Sequence, residues 1–343
     1  MNQKSFALPA LGLVIAMCGL PASGQITIGT VPVGNIGNAN DSTGFGGVNY
    51  GYSIGTTEVT VSQYAAFLNA VAKTDTFSLY NTAMATDLTI AGITRSGVSG
   101  SFTYSVLGSA NKPVTYVNWL DAARFVNWMQ NGQPIGAQAA GTTETGSYTL
   151  NGATSALGIT RNANVSFGLP TQNEWYKAAY YQPSGDGGDS DNYWLYPTGS
   201  NDVPNSRNGS GSDPNSGNFF RDDGLANGFN GGYAANNSTT TPSGNALTDG
   251  GAFSVADSFY GTFDQGGNVW EWTEGVSGAN RVIRGGSWSG GESSLRATAP
   301  NAFFPVNENG IIGFRIVAVP EPSVVGLLAL GAALFIIKRK RAA

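Results

Sequence analysis

The sequence has no histidine, and its single cysteine is Cys18. Together these absences exclude imidazole acid–base chemistry, catalytic triads, thiolate nucleophiles in the body of the chain and ordinary zinc or copper ligation. Charge is scarce as well. Only 11% of the 343 residues are charged, and 17 basic against 22 acidic side chains leave a net charge of −5. With no basic stripe to neutralise phosphates, nucleic acid is not an expected partner. Hard cations held by oxygen remain open to the chain.

What is present suffices for a folded core, since 41% of the residues are hydrophobic. Glycine is abundant at 49 residues, and Asn, Ser and Thr are frequent, so much of the backbone should run through turns with positive φ or local side-chain bonding.

Both ends read as addresses. Lys4, the apolar stretch from Phe6 to Leu20 and Pro21-Ala22-Ser23-Gly24 form the pattern of a secretory signal cut before Gln25, which would remove Cys18 with residues 1–24. Met17 stands where a lipoprotein signal needs a small residue before its cysteine. At the other end Pro320, Glu321 and Pro322 break the domain, an apolar run follows over about 324–337, and Lys338 to Arg341 close it. A helix there is short against the span of about 20 residues that a bilayer needs. The basic cluster should stay on the cytoplasmic side, leaving 25–318 outside. This tail resembles the PEP-CTERM sorting signal of Gram-negative bacteria, and the resemblance implies an exosortase as processing partner. A permanent single-pass anchor is the alternative; either fate brings the C-terminal helix into contact with the membrane.

Between the ends, three capping patterns predict helices. Thr60 with Gln63 opens the first, Asn118 with Asp121 the second, with Asn131-Gly132 as its stop, and Thr171 with Glu174 the third. From Gln182 to Asp264 no helical or alternating period appears, over a length far beyond the roughly 12–15 residues of a plain loop. Aromatics through that stretch, among them Tyr193, Tyr196, Phe219 and Tyr233, predict an irregular layer pinned by rings. The acidic cluster at 184–193 lacks a glutamate at EF-hand spacing and reads as a solvated turn. In GNVWEW, strand alternation puts Trp270 and Trp272 on one face and Glu271 on the other. Glu271 then either helps hold a cation or stands in solvent.

The segments TTEVTVSQYAAFLN (56–69), PVTYVNWLDAARFVNW (113–128), LPTQNEWYKAAYY (169–181), YGTFDQGGNVWEW (260–272), RVIRGGSW (281–288) and GFRIV (313–317) resemble, in order and spacing, the formylglycine-generating enzyme or sulfatase-modifying factor family. The resemblance implies one α+β domain over 25–318, with a C-type-lectin-like core and little regular secondary structure. It implies a structural calcium ion held by Asp264, the carbonyls of Gly267 and Val269, and the carboxylate of Glu271. A second family calcium site would fall near Asn218 and Phe219, where the loop length differs. Catalytic members carry two copper-binding cysteines five residues apart downstream of Arg-Gly-Gly-Ser; here those positions are Gly290 and Leu295. Neither binds a soft metal, and iron-using relatives need histidines, so copper, iron and zinc are not expected.

The expectation is an exported, non-catalytic, calcium-stabilised recognition or matrix module of the outer envelope or extracellular matrix. A candidate ligand cleft comprises Arg284, Ser287, Trp288 and Arg296, with an exopolysaccharide or a protein as ligand; an arginine fork beside an indole face suits a carboxylate, sugar or peptide. The competing expectation for the two arginines is pairing with carboxylates or carbonyls, and for Trp288, packing. The rival function is an enzyme using carboxylates such as Asp222, Asp223, Asp257 and Glu292, and a third reading is a matrix filler without a small ligand.

Overall fold

The three capping patterns each start a helix. In the computed structural model, which describes residues 25–208, 212–226 and 230–319, α1 spans Val61–Val71. A single turn, α2, covers Ala83–Thr86; α3 spans Trp119–Gln130 and α4 Gln172–Tyr180. At Thr60, Asn118 and Thr171 the side chain accepts from the backbone N–H three residues on, and the side chain at that third position accepts from the cap's own N–H. These reciprocal bonds satisfy donors that a helix start leaves orphaned. The apolar faces of α1 and α3 meet through Phe67, Phe125 and Trp128, whose ring centroids lie 5.3–5.8 Å apart.

Strands are short and fall mainly at the two ends of the sequence. Before α3 come β1 (Thr30–Val33), β2 (Tyr52–Gly55), β3 (Ile93–Ser96) and β4 (Thr103–Val106). The middle holds β5 (Phe167–Gly168), β6 (Asn205–Ser206), β7 (Ser216–Gly217), β8 (Phe220–Asp222) and β9 (Gly231–Tyr233). After the irregular stretch come β10 (Trp270–Ser277), β11 (Asn280–Arg284), β12 (Asn301–Phe303), β13 (Ile312–Gly313) and β14 (Val317–Ala318). One sheet has the order β1-β2-β14-β5, which ties the start of the domain to its end; the other has the order β12-β11-β10-β13.

The 182–264 stretch is irregular, as its missing period predicts, and rings pin it. Tyr193 meets Tyr176 and Tyr181 at 5.7 and 5.1 Å, and Tyr233 meets Phe220 and Trp288 at 4.8 and 5.8 Å. The acidic segment 184–193 is largely exposed. Among the described residues no helix is long and apolar enough to cross a membrane. The expected signal at 1–24, the sorting motif Pro320, Glu321 and Pro322, and the apolar run at 324–337 lie outside the described residues.

Candidate functional site

Strand β10 places Trp270 and Trp272 in the main core and turns Glu271 to its other face. There the carboxylate is fully buried, so the solvated alternative does not hold. Arg315, also without exposure, grips it from both sides: Nε donates to Oε2 at 2.6 Å and a terminal nitrogen to Oε1 at 2.7 Å. The Trp175 indole N–H on α4 donates to the same Oε2 at 2.8 Å. The remaining Arg315 donors reach the carbonyls of Gly55 at 2.8 Å and Phe263 at 2.9 Å. One bidentate pair thereby ties β2, α4, β10 and the segment before β14 together.

Both Glu271 oxygens serve Arg315, so the calcium ion that the resemblance implies would share this carboxylate with the guanidinium. Asp264 takes an N–H from Gly251 at 2.6 Å, and Val269 is fully buried among Ile90, Ala246, Leu247 and Trp288. Gly267 is needed for close approach, since a Cβ there would come 2.3 Å from the Asn218 carbonyl oxygen, at a φ of +108°. Among the described residues no three acidic side chains are grouped to share an ion. At the second family position, the Asn218 carbonyl accepts from Asn268 and that of Phe219 from Ala234 and the Ser206 hydroxyl.

Two further carboxyls sit near the pair. Glu58 is buried, and neither of its oxygens has a hydrogen-bond partner among the described residues. Burial first, and then the neighbouring Asp264, push its pKa well above the carboxylate range. Burial likewise pushes Asp264 up to about 6.

The loop after β11 shows what became of the reactive positions. Leu295, at the second cysteine position, is fully buried and packs with Tyr196 and Phe219. A Cβ on Gly290 would lie 2.8 Å from the Ser294 hydroxyl, and one on Gly286 would meet Ser294 and Leu295 at 2.6 and 2.8 Å. Near the loop, a cavity of about 10 Å³ bordered by Pro197, Gln265 and Gly266 has room for about one water.

The four residues of the expected cleft do not converge. Trp288 packs against Tyr233 and donates to the Gly310 carbonyl at 3.3 Å. Ser287 is buried, 3.5 Å from the Ser289 hydroxyl. Arg296 donates to the Tyr196 hydroxyl at 2.9 Å and lies 3.9 Å from Glu292. Arg284 points elsewhere, to the Ala297 carbonyl at 2.9 Å and to the rings of Phe45 and Tyr176, each centred 5.0 Å from its guanidinium carbon. Packing accounts for Trp288, and carbonyl pairing with ring contacts for part of Arg284.

Arg284 is nonetheless unusual. It is fully buried, and its Nε and one terminal nitrogen have no partner. Burial lowers its pKa, yet a guanidinium remains charged at neutral pH. Arg281, on the same strand, is also buried, but it reaches three carbonyls, those of Glu274, Ala156 and Ile159, within 2.7 Å. Sequence reading gave no role to Arg315, Glu58 or Phe45. The first two carried a signal: Arg315 is a charge inside the apolar segment GFRIV and Glu58 one among the β-branched residues of TTEVTV, where burial demands a partner.

Among the described residues the carboxylates of the rival enzyme reading lie in separate settings. Asp222 and Asp223 accept from the N–H groups of Gly224 and Leu225, Asp257 is exposed, and Glu292 neighbours Arg296.

Residues 25–319 match the Sulfatase-modifying factor enzyme 1-like domain. Similar solved structures include one titled CarF, 21% identical over 86% of this chain and 99% of its own, with a TM-score of 0.48. Treponema denticola variable protein 1 is 18% identical over 87% and 98%, with a TM-score of 0.44. PvdO from Pseudomonas aeruginosa is 14% identical over 85% and 92%, with a TM-score of 0.37. No curated protein matches the chain. With the match running through α1, α3, α4, the Trp-Glu-Trp strand and the Arg-Gly-Gly-Ser loop, this chain belongs to the sulfatase-modifying factor domain family.

Proposed function

We propose that this chain is an exported, non-catalytic member of its family, acting as a recognition or matrix module outside the cell. The observation that carries the reading is Leu295, an aliphatic side chain sealed into the Tyr196–Phe219 cluster where a catalytic relative has a thiol. A buried leucine offers no lone pair to a soft metal and no electrons to an oxidant. The scaffold under the loop is kept: Tyr180 donates to the Leu295 carbonyl at 3.0 Å, and Gly267 donates to the Gly285 carbonyl at 2.9 Å. The Glu271–Arg315 pair stiffens the strand beneath it, and a calcium ion on Asp264 and Glu271, as the resemblance implies, would add to that.

Export rests on the pattern of residues 1–24, and handling by an exosortase on Pro320-Glu321-Pro322 with the apolar and basic segments after it. An acidic chain without a basic stripe, set outside the cell, suits contact with polysaccharide or protein.

The test is direct. The purified full chain, given a cysteine-containing sulfatase peptide with and without copper, should leave the thiol unchanged. Copper-dependent formylglycine above the level in peptide alone would sink the reading. For the tail, mass spectrometry of the native envelope fraction should find the mature protein without its terminal Lys-Arg-Lys-Arg-Ala-Ala; that peptide as the dominant form would make the tail a permanent anchor.

A further inference from the structure

An open groove of about 330 Å³ lies at the edge of the second sheet, within the range of about 300–1,000 Å³ typical of small-ligand sites. Phe45, Val282 and Pro300 give it apolar walls; Gln172, Ser277 and Asn301 give it polar ones. The Gln172 carboxamide, the Ser277 hydroxyl and the Asn301 side-chain N–H group make no hydrogen bond among the described residues, so donors and acceptors both face a ligand there. Phe45 is held in place by its loop. The Gly44 and Gly46 on either side of it have φ of +86° and +97°, and the turn closes through Asp41, whose carboxylate receives the Tyr176 hydroxyl.

Arg284 does not line the groove, but its guanidinium carbon is 5.0 Å from the centre of the Phe45 ring that does. Its Nε and one terminal nitrogen are buried without a hydrogen-bond partner, and among the described residues no ion pair to it is formed. Glu271, its cross-strand neighbour, is committed to Arg315. One aromatic ring therefore separates the groove from an unneutralised positive charge in a low-dielectric surrounding, where a field is weakly screened.

We infer that this groove binds an acidic sugar, a uronate unit of a polysaccharide, with the sugar face on Phe45, its hydroxyls on Gln172, Ser277 and Asn301, and its carboxylate drawn toward Arg284. The inference rests on the recognition reading and names the ligand class for it. Side-chain amides and a hydroxyl, each able to complement a sugar hydroxyl, favour a saccharide over an acidic peptide, which would seek a strand edge for its backbone.

Calorimetric titration of the full chain with a tetramer of glucuronate, a neutral glucose tetramer and an acidic tetrapeptide tests it. The glucuronate tetramer should bind at least about tenfold more tightly than the glucose tetramer, with affinity falling as salt rises. Asn301→Asp, a surface change at the groove, should abolish that preference, and Phe45→Ala should weaken both sugars. Arg284→Gln should equalise the two sugars. Should it fail to fold, the Asn301→Asp result still decides. Equal wild-type affinities for the two tetramers overturn the charge assignment and leave saccharide recognition standing. Tighter binding of the peptide overturns the ligand class, and binding of none overturns the groove as a site while the non-catalytic reading still stands or falls on the sulfatase-peptide test.

Discussion

Glu271 and Arg284 face each other across β10 and β11, yet the two arginines near that carboxylate are treated differently. Arg315 takes both oxygens and reaches three further carbonyls, those of Gly55, Thr56 and Phe263. Arg284 keeps one carbonyl, two rings and two unpartnered nitrogens. A buried charge stabilises a fold only when it is paired and hydrogen-bonded, so Arg315 is scaffold while Arg284 is a charge for which the fold has no use of its own. By the resemblance, catalytic members carry their cysteines on the loop that follows Arg284, and here that loop has Gly290 and Leu295.

Breaking the satisfied pair should have the largest effect. Glu271→Gln leaves Arg315 buried without a counter-charge and should cost about 3–5 kcal/mol, read as a lower denaturation midpoint. If it unfolds no more easily than wild type, the pair is not the anchor. Next in size, Leu295→Ala should cost about 2–5 kcal/mol, because it empties a filled cluster. A loss under about 0.5 kcal/mol, the scale of an exposed site, would mean that the old thiol position is open after all.

Glu58 sharpens the same contrast on the acidic side. Its raised pKa, with that of Asp264, makes the folded state bind more protons than the unfolded one. Stability should therefore be greatest at mildly acidic pH and fall as pH climbs from about 4, through about 6 and beyond. Glu58→Gln should flatten that fall and raise the melting temperature at about pH 8. A variant that melts lower than wild type at that pH would mean Glu58 is ionised and paired in the fold. The smallest expected change is with calcium. An ion held at Asp264 and Glu271 should raise the melting temperature above that in chelator; coincident melts would show that the Arg315 pairing leaves no place for it.

Local features of this fold were legible in the sequence and distant pairings were not. The caps at Thr60, Asn118 and Thr171 act within three residues, so four letters suffice to read them. The alternation of Trp270, Glu271 and Trp272 gave the right faces because a strand has period two. What Glu271 meets, by contrast, comes from Arg315 and Trp175, 44 and 96 residues away, and no pattern near Glu271 announces either. Whether the candidate cleft residues converge was illegible for a similar reason. Residues 284–296 are neighbours in sequence, but the turns at Gly285 and Gly286, with φ of +100° and +79°, send Arg284 and Trp288 to different sides. Phe45 escaped notice because it comes to Arg284 from a loop 239 positions earlier, between two glycines.

The most direct test sets the two arginines against each other in one denaturation series, with methionine as a near-isosteric uncharged replacement. Arg315→Met should lose about 3–5 kcal/mol by stranding Glu271, while Arg284→Met should be neutral or more stable than wild type, since it removes a buried charge that has no counter-ion and only one hydrogen bond. Comparable losses from both would contradict this expectation, and would place Arg284 in the scaffold alongside Arg315.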